Sequence, residues 1–256
     1  MNTELGAPIS LLEKDEKERI MYIVSDVDDT ITHKGRLLPL SLHALYDLKE
    51  SGKNIILVTG GSAGWADVYI RQWPIDYVIT ESGALLLYKK DDGDIAYITN
   101  PKIDQGNVHE KRRELIELAK VYPLSSDQYA RIYDIAYDKR TLDTKDVEHL
   151  KDVVRSFGAN YAESSIHLNV WFGDYDKAKG IKEFLPYITD EDISSFIDHS
   201  VYLGDSFNDQ IMFSLFPISI GMQSVEDNRS KFEILPKYIT EGYGGYGFYE
   251  AVKILV

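Results

Sequence analysis

"IVSDVDDTIT", residues 23–32, sets three carboxylates, Asp26, Asp28 and Asp29, within four positions at the end of an apolar run. Like charges this close repel one another, and a carboxylate taken out of water is costly unless it is paired or meets a cation. The run before them, "RIMYIVSD" (residues 19–26), is continuous, β-branched and apolar. Such a run reads as a strand buried on both faces of a parallel sheet. A strand ending in clustered acids sets them at the rim where open α/β sheets gather their ligands.

The rhythm on either side supports that sheet. "PLSLHALYDLKESG" (39–52) has helical spacing through Leu42, Leu45 and Leu48, with Ser41 as its opening signal and Gly52 as its stop. "NIILVTGGS" (54–62) reads as a second buried strand and "SAGWADVYIRQW" (62–73) as a second helix. "DYVITESGALLLYKKDDGDIAYI" (76–98) gives a third strand and then a hairpin turning at "DDGD". Strand and helix alternating in this way predict a Rossmann-like parallel sheet flanked by helices, an α/β fold.

From residue 101 the pattern changes. "NVHEKRRELIELAKVY" and "TKDVEHLKDVVRSFG" are helical, "YARIYDIAYDK" is extended, and "NYAESS" with "IHLNVWF" reads as a hairpin. This predicts an inserted α+β cap over residues 101–172, with the core formed by 1–100 and 173–256. The α/β rhythm resumes in "DKAKGIKEFLPYI", "HSVYLGD", "NDQIMFSLF", "PISIGM" and "FYEAVKILV". "SLLEKDEKERI" (10–20) reads as a solvated leader in preference to a short charged helix leading into the first strand, and "EGYGGYGFYE" (241–250) as a structural turn in preference to a mobile aromatic loop.

Composition narrows the function. The 256 residues are 44% hydrophobic and carry a formal charge of −14, so a long contact with a phosphate backbone is repelled and nucleic acid is not the expected partner. The absence of cysteine removes disulfides and thiolate zinc sites and fits a reducing compartment. Without a basic start leading into an apolar core, and without a long apolar run, the expectation is a cytoplasmic protein that does not enter a membrane.

The polar clusters all fall at strand ends. Asp26, Asp28, Asp29 and Thr30 follow the first strand; Thr59, Gly60, Gly61 and Ser62 the second; Asp205, Ser206, Asn208 and Asp209 a late one, with Lys177 and Lys179 before it. An all-oxygen set without His or Cys suits a hard cation, Mg2+ above all, with Asp26 and Asp205 as ligands and Asp209 supporting from one turn further on. An aspartate in such a site can attack phosphorus, a second can move a proton, and a lysine can balance the phosphoryl charge. Lys177 and Lys179 lie two apart, so both cannot face the site from one helix.

These four stretches, "DVDDT", "VTGGS", "KAKG" and "GDSFND", resemble in order the motifs of the haloacid dehalogenase-like superfamily. The insertion and "ESGALLLY" are similar to its Cof-type and sucrose-phosphatase-like branch. The resemblance implies an α+β cap over the site and a Mg2+-dependent phosphatase of a small phosphomonoester, a sugar phosphate first, working through an aspartyl phosphate. It implies Asp26 as nucleophile and metal ligand, and Asp28 as acid/base that lends the metal its backbone carbonyl. Thr59, Gly60, Asn208 and Lys179 become the phosphate-binding residues, with Lys177 in reserve, and Asp205 and Asp209 complete the metal set. Asp29 departs from the family's glycine, and Gly61 from a frequent arginine. The alternatives are a phosphosugar mutase, a phosphoglycolate phosphatase and a non-catalytic sugar-phosphate sensor, with the oligomeric state open. His167, Asn169 and Trp171 are candidate cap contacts to a sugar.

Overall fold

The structure is a computed structural model of the chain that describes residues 5–164 and 166–256. The first four residues of the N-terminal stretch and Ser165 of the expected cap hairpin lie outside the described residues.

The first half runs β1 (Ala7–Pro8), α1 (Lys14–Arg19), β2 (Tyr22–Ser25), the small hairpin β3 (Thr32–His33) and β4 (Arg36–Leu37), and α2 (Pro39–Glu50). It continues through β5 (Asn54–Val58), α3 (Ala63–Gln72), β6 (Tyr77–Thr80), β7 (Leu85–Lys89) and β8 (Ile95–Thr99). The insertion supplies α4 (Val108–Leu118), β9 (Ile135–Asp138), α5 (Thr144–Ser156), β10 (Asn160–Glu163) and β11 (His167–Trp171). Then follow α6 (Lys177–Ile188), α7 (Ile193–Asp198), β12 (Ser200–Gly204) and α8 (Gln210–Leu215). The chain closes with β13 (Ser219–Gly221), α9 (Gln223–Asp227), β14 (Tyr238–Ile239) and α10 (Gly245–Leu255).

The main sheet has the order β1-β14-β13-β12-β2-β5-β6-β7-β8. Its pairings are parallel from β1 to β6 and antiparallel through β7 and β8. Successive strand residues point to opposite faces, and the core follows that alternation. Ile23, Ile55 and Leu57 pack with Leu45, Ile70 and Phe248 on one side, while Val24, Ile56 and Val58 pack with Ile181, Phe184 and Phe213 on the other. Burial on both faces is why these strands read as unbroken apolar runs.

The insertion forms a separate three-stranded antiparallel sheet, β10-β11-β9. Leu115, Leu150, Val154, Tyr137 and Leu168 make a third apolar cluster beneath its helices. This layer is the cap of the α/β core.

Two expectations are corrected. Residues 10–20 are more than a solvated leader: they carry the short charged helix α1, mostly exposed, whose buried Glu16 accepts hydrogen bonds from Lys237 at 2.6 Å and Tyr238 at 2.5 Å. Just ahead of it Ile9 is buried and β1 pairs with β14. Residues 241–250 form a structural turn, as the preferred reading has it, in which Glu250 accepts from the backbone N–H groups of Glu241 and Gly242 and α10 begins at Gly245. Helix α2 starts at Pro39, whose fixed φ suits a first helical position, and Ser41 is buried inside it.

One close approach sets the position of α6. A Cβ on Gly180 would lie 2.8 Å from the Gly83 Cα, so the absence of a side chain lets the helix meet the turn after β6 backbone to backbone.

Candidate active site

Strands β2, β5 and β12 are neighbours, and the chain leaves β2 toward β5 on one side and returns through β12 on the other. Their carboxyl ends therefore form the crevice at which the strand order reverses. Asp26 follows β2, Thr59 follows β5 and Asp205 follows β12. The Asp26 N–H donates to the Leu203 carbonyl at 2.9 Å, tying the acidic turn to the neighbouring strand.

Helix α6 is capped by Asp176, whose side chain accepts from the Lys179 N–H at 2.8 Å. The cap makes Lys177 the first helical residue and points it inward. Its ammonium donates to Asp26 Oδ1 and to Asp209 Oδ1, both at 2.7 Å, and the side chain is only 4% exposed. The expectation for Lys179 is thereby corrected: half-exposed, it reaches outward to Asp174 and away from the carboxylates. The family pattern puts the helix after Lys-Gly, whereas here the helix begins at Lys177, two residues ahead of that lysine, and contains both.

Asp209 is fully buried and all its acceptor positions are taken. Oδ1 accepts from Lys177 and from the Tyr202 hydroxyl at 2.5 Å; Oδ2 accepts from the Asp205 and Ser206 N–H groups at 3.0 and 3.1 Å. It orients Asp205 and Lys177 from behind. Asp26, Asp205 and Asp209 bring one oxygen each within 4.8 Å of one another. Asp205 also receives a long contact of 3.4 Å from the Thr30 hydroxyl.

The electrostatics follow from this crowding. Burial, with Asp209 and Asp28 adding repulsion, pushes the Asp26 carboxyl up to about 7 despite the pull of Lys177. Burial beside Asp209 and Asp26 drives Asp205 well above the carboxylate range. Burial would strip Lys177 of its proton, yet Asp209 and Asp26 reverse that effect and hold it charged. Asp28 is exposed to the cavity; desolvation by the surrounding protein and then Asp29 raise its pKa, against Lys177 and Arg131. A divalent cation relieves such carboxylate repulsion, and an all-oxygen set suits Mg2+. Asp26 and Asp205 fit that ion.

Asp29 does not join them. It sits at φ +54°, in the left-handed region, and its Oδ1 accepts from the Lys34 N–H at 2.7 Å. The side-chain bond offsets a backbone conformation that glycine adopts freely.

Above the carboxylates lies a cavity of about 500 Å3. Asp26, Asp28, Thr59, Gly60, Asp205 and Asn208 line it from the core. Thr59 Oγ1 accepts from the Gly61 N–H at 2.9 Å, shaping the loop after β5. The cap closes on that same loop: Arg131 and Asn169 donate to the Gly60 carbonyl at 3.0 and 2.8 Å. Trp171 turns inward and donates to the Tyr175 carbonyl, while His167 lines the cavity. Asn169 also bonds Asp134 at 3.1 Å.

Glu81 joins the two layers and is a residue that sequence reading passes over. Its buried carboxylate accepts from Ala63 N–H in the core and from the Ile132, Tyr133 and Asp134 N–H groups in the cap, at 2.6–3.0 Å. Burial and Asp134 push its carboxyl up to about 7, outweighing those donors. The signal in sequence is an acid directly after a buried strand, in "VITESG".

The sequence matches the model of the haloacid dehalogenase-like hydrolase family over residues 23–105 and 91–232. The chain belongs to that family. No curated protein matches the sequence. Among solved structures, a Thermoplasma acidophilum protein is similar at 19% identity and a TM-score of 0.69, over 92% of this chain and 98% of its own. The C-terminal domain of a trehalose-6-phosphate phosphatase from C. albicans is similar at 12% identity and a TM-score of 0.72, over 100% and 99%. A phosphatase of the superfamily from Bacteroides thetaiotaomicron gives 17% identity and a TM-score of 0.63, over 96% and 98%. These likenesses establish a shared fold, a Rossmann-like core with a cap. As a member of this family the protein is a hydrolase. No helix among the described residues is long and apolar enough to cross a membrane.

Proposed function

We propose that the protein is a Mg2+-dependent phosphatase that hydrolyses a small phosphomonoester, a sugar phosphate first, through a phospho-Asp26 intermediate. The observation that carries this reading is the buried cluster in which Lys177 holds Asp26 at 2.7 Å beside Asp205, with Asp28 open to the same cavity.

Asp26 is the nucleophile: its carboxylate oxygen bonds to phosphorus as the bond to the substrate's alcohol oxygen breaks. Asp28, whose pKa is raised first by desolvation and then by Asp29, acts as the acid and gives a proton to the departing oxygen. In the second half Asp28, now ionised, takes a proton from water; the water oxygen bonds to phosphorus and Asp26 is released with inorganic phosphate. Thr59, Gly60 and Asn208 border the cavity that would take the phosphoryl group, and Lys177, bonded to Asp26 and lining the adjoining space with Gly60 and Asn208, would balance the charge on its oxygens. Asp26, Asp205 and the Asp28 backbone carbonyl would hold Mg2+, with Asp209 supporting them. When bound, the ion supplies positive charge to the phosphoryl oxygens.

The test is Mg2+-dependent phosphate release from a generic aryl phosphate by wild type and by Asp26→Asn. Loss of turnover in the variant is expected, and full activity in it refutes the reading.

A further inference from the structure

Helix α3 packs Ala63, Ala66 and Ile70 into the core, and Trp65, Val68 and Gln72 line the cavity above Asp26; Tyr69 and Trp73, the residue after the helix, belong to the buried core and also border that cavity. The cavity-lining positions recur at helical spacing and form one stripe. Trp65 is 51% exposed and Val68 37%, large apolar surfaces turned to water inside a cleft rather than against protein. The rings are stacked in series: Trp65 on Tyr69 at 6.0 Å and 20°, Tyr69 on Trp73 at 4.3 Å and 27°. The helix leaves the Thr59–Gly61 loop through its cap Ser62, so Trp65 stands in the first turn beyond the loop that borders Asp26.

The facing wall belongs to the cap and is polar, but its charges are already matched. Arg131 is engaged by Asp134 and Asp127, and Arg140 is held by both oxygens of Asp138. His167, next to them, is half-buried, and desolvation and then Arg131 shift it toward its neutral form. A clamp for a second anionic group needs a spare cation, and this wall presents paired ones together with hydroxyls of Ser126 and Ser164. The volume of about 500 Å3 is within the range of pockets that hold drug-sized ligands, well beyond a two-carbon acid.

We propose that α3 reads the substrate: Trp65, with Val68 beside it, is the platform for an uncharged, hydroxyl-bearing ring of the leaving group, whose polar edge faces Asp127 and His167. The inference rests on the phosphatase reading. A sugar ring has the required form, an apolar C–H face and an edge of groups that both donate and accept.

The test compares kcat/KM for a hexose 6-phosphate, glycerol 3-phosphate, phosphoglycolate and a nucleoside 5′-monophosphate in wild type, Trp65→Phe and Trp65→Ala. Wild type should favour the hexose phosphate over both acyclic substrates. In Trp65→Ala the ratio of ring to acyclic kcat/KM should fall about tenfold, chiefly through KM, and Trp65→Phe should restore most of it. A ratio unchanged in Trp65→Ala, or a wild-type preference for phosphoglycolate or for the nucleotide, overturns the proposal. If wild type releases phosphate from none of the four with Mg2+, the phosphatase reading fails. The platform is then judged by calorimetric binding of hexose 6-phosphate, where equal affinity in wild type and Trp65→Ala, or no binding by either, overturns it.

Discussion

Replacing Lys177 by methionine keeps the volume of the side chain and removes the cation that contacts both Asp26 and Asp209. The ammonium is 4% exposed and 2.7 Å from each carboxylate, while three carboxylates stay within 4.8 Å of one another. Removing one partner of a buried pair costs about 3–5 kcal/mol, since the other charge is left uncompensated. For a chain of this size each kcal/mol moves Tm by about 2–4 °C, so the metal-free variant should melt roughly 6–20 °C lower. Loss of one preorganised charge at the phosphoryl group should lower kcat by about 100- to 1000-fold. Lys179→Met, on the same helix, is the control: its ammonium pairs with an exposed Asp174 and should alter neither Tm nor turnover measurably. Thermal melts with EDTA or Mg2+, paired with phosphate-release rates, read both variants. Mg2+ should return part of the lost Tm in Lys177→Met by binding the folded state. Equal losses in the two variants, or a larger loss in Lys179→Met, would refute the assignment of Lys177.

Two further outcomes follow from buried or strained groups. Glu81 has its ordinary pKa of 4.5 raised to about 7 in the fold, so the folded state keeps a proton that the unfolded chain gives up. Its contribution is thus fully present below about pH 4.5 and is lost as pH rises to 7; the stability difference between wild type and Glu81→Gln should fall by about 3 kcal/mol across that window. Urea midpoints at several pH values measure it, and a difference independent of pH sinks the claim. At Asp29, alanine keeps the left-handed strain and loses the bond from Lys34, costing about 1–2 kcal/mol. Glycine relieves the strain while losing the same bond and should fall within about 1 kcal/mol of wild type; a glycine variant less stable than the alanine one contradicts this.

The sheet was legible because β2, β5 and β12 are buried on both faces and leave unbroken apolar runs, and the helices between them keep their spacing. The acidic and threonine positions were legible because they punctuate those runs. Lys177 against Lys179 was not: the choice depends on where α6 starts, and Asp176 as a cap moves that start ahead of both. Two-residue strands such as β1 and β14 carry no period to read. Glu81 was silent for another reason, since its partners at 132–134 come from half a hundred residues later and offer backbone N–H groups, which leave no mark in a sequence. Trp65 reads as an ordinary helix residue until the space beside it is known.

The Gly60 carbonyl receives both Arg131 and Asn169, and the peptide it belongs to carries the Gly61 N–H bound to Thr59. One peptide unit therefore serves as doorstop and as cradle. Swinging the upper layer away would release its oxygen and free its plane to tilt, so admission of a molecule and the shape of the anchoring loop change together.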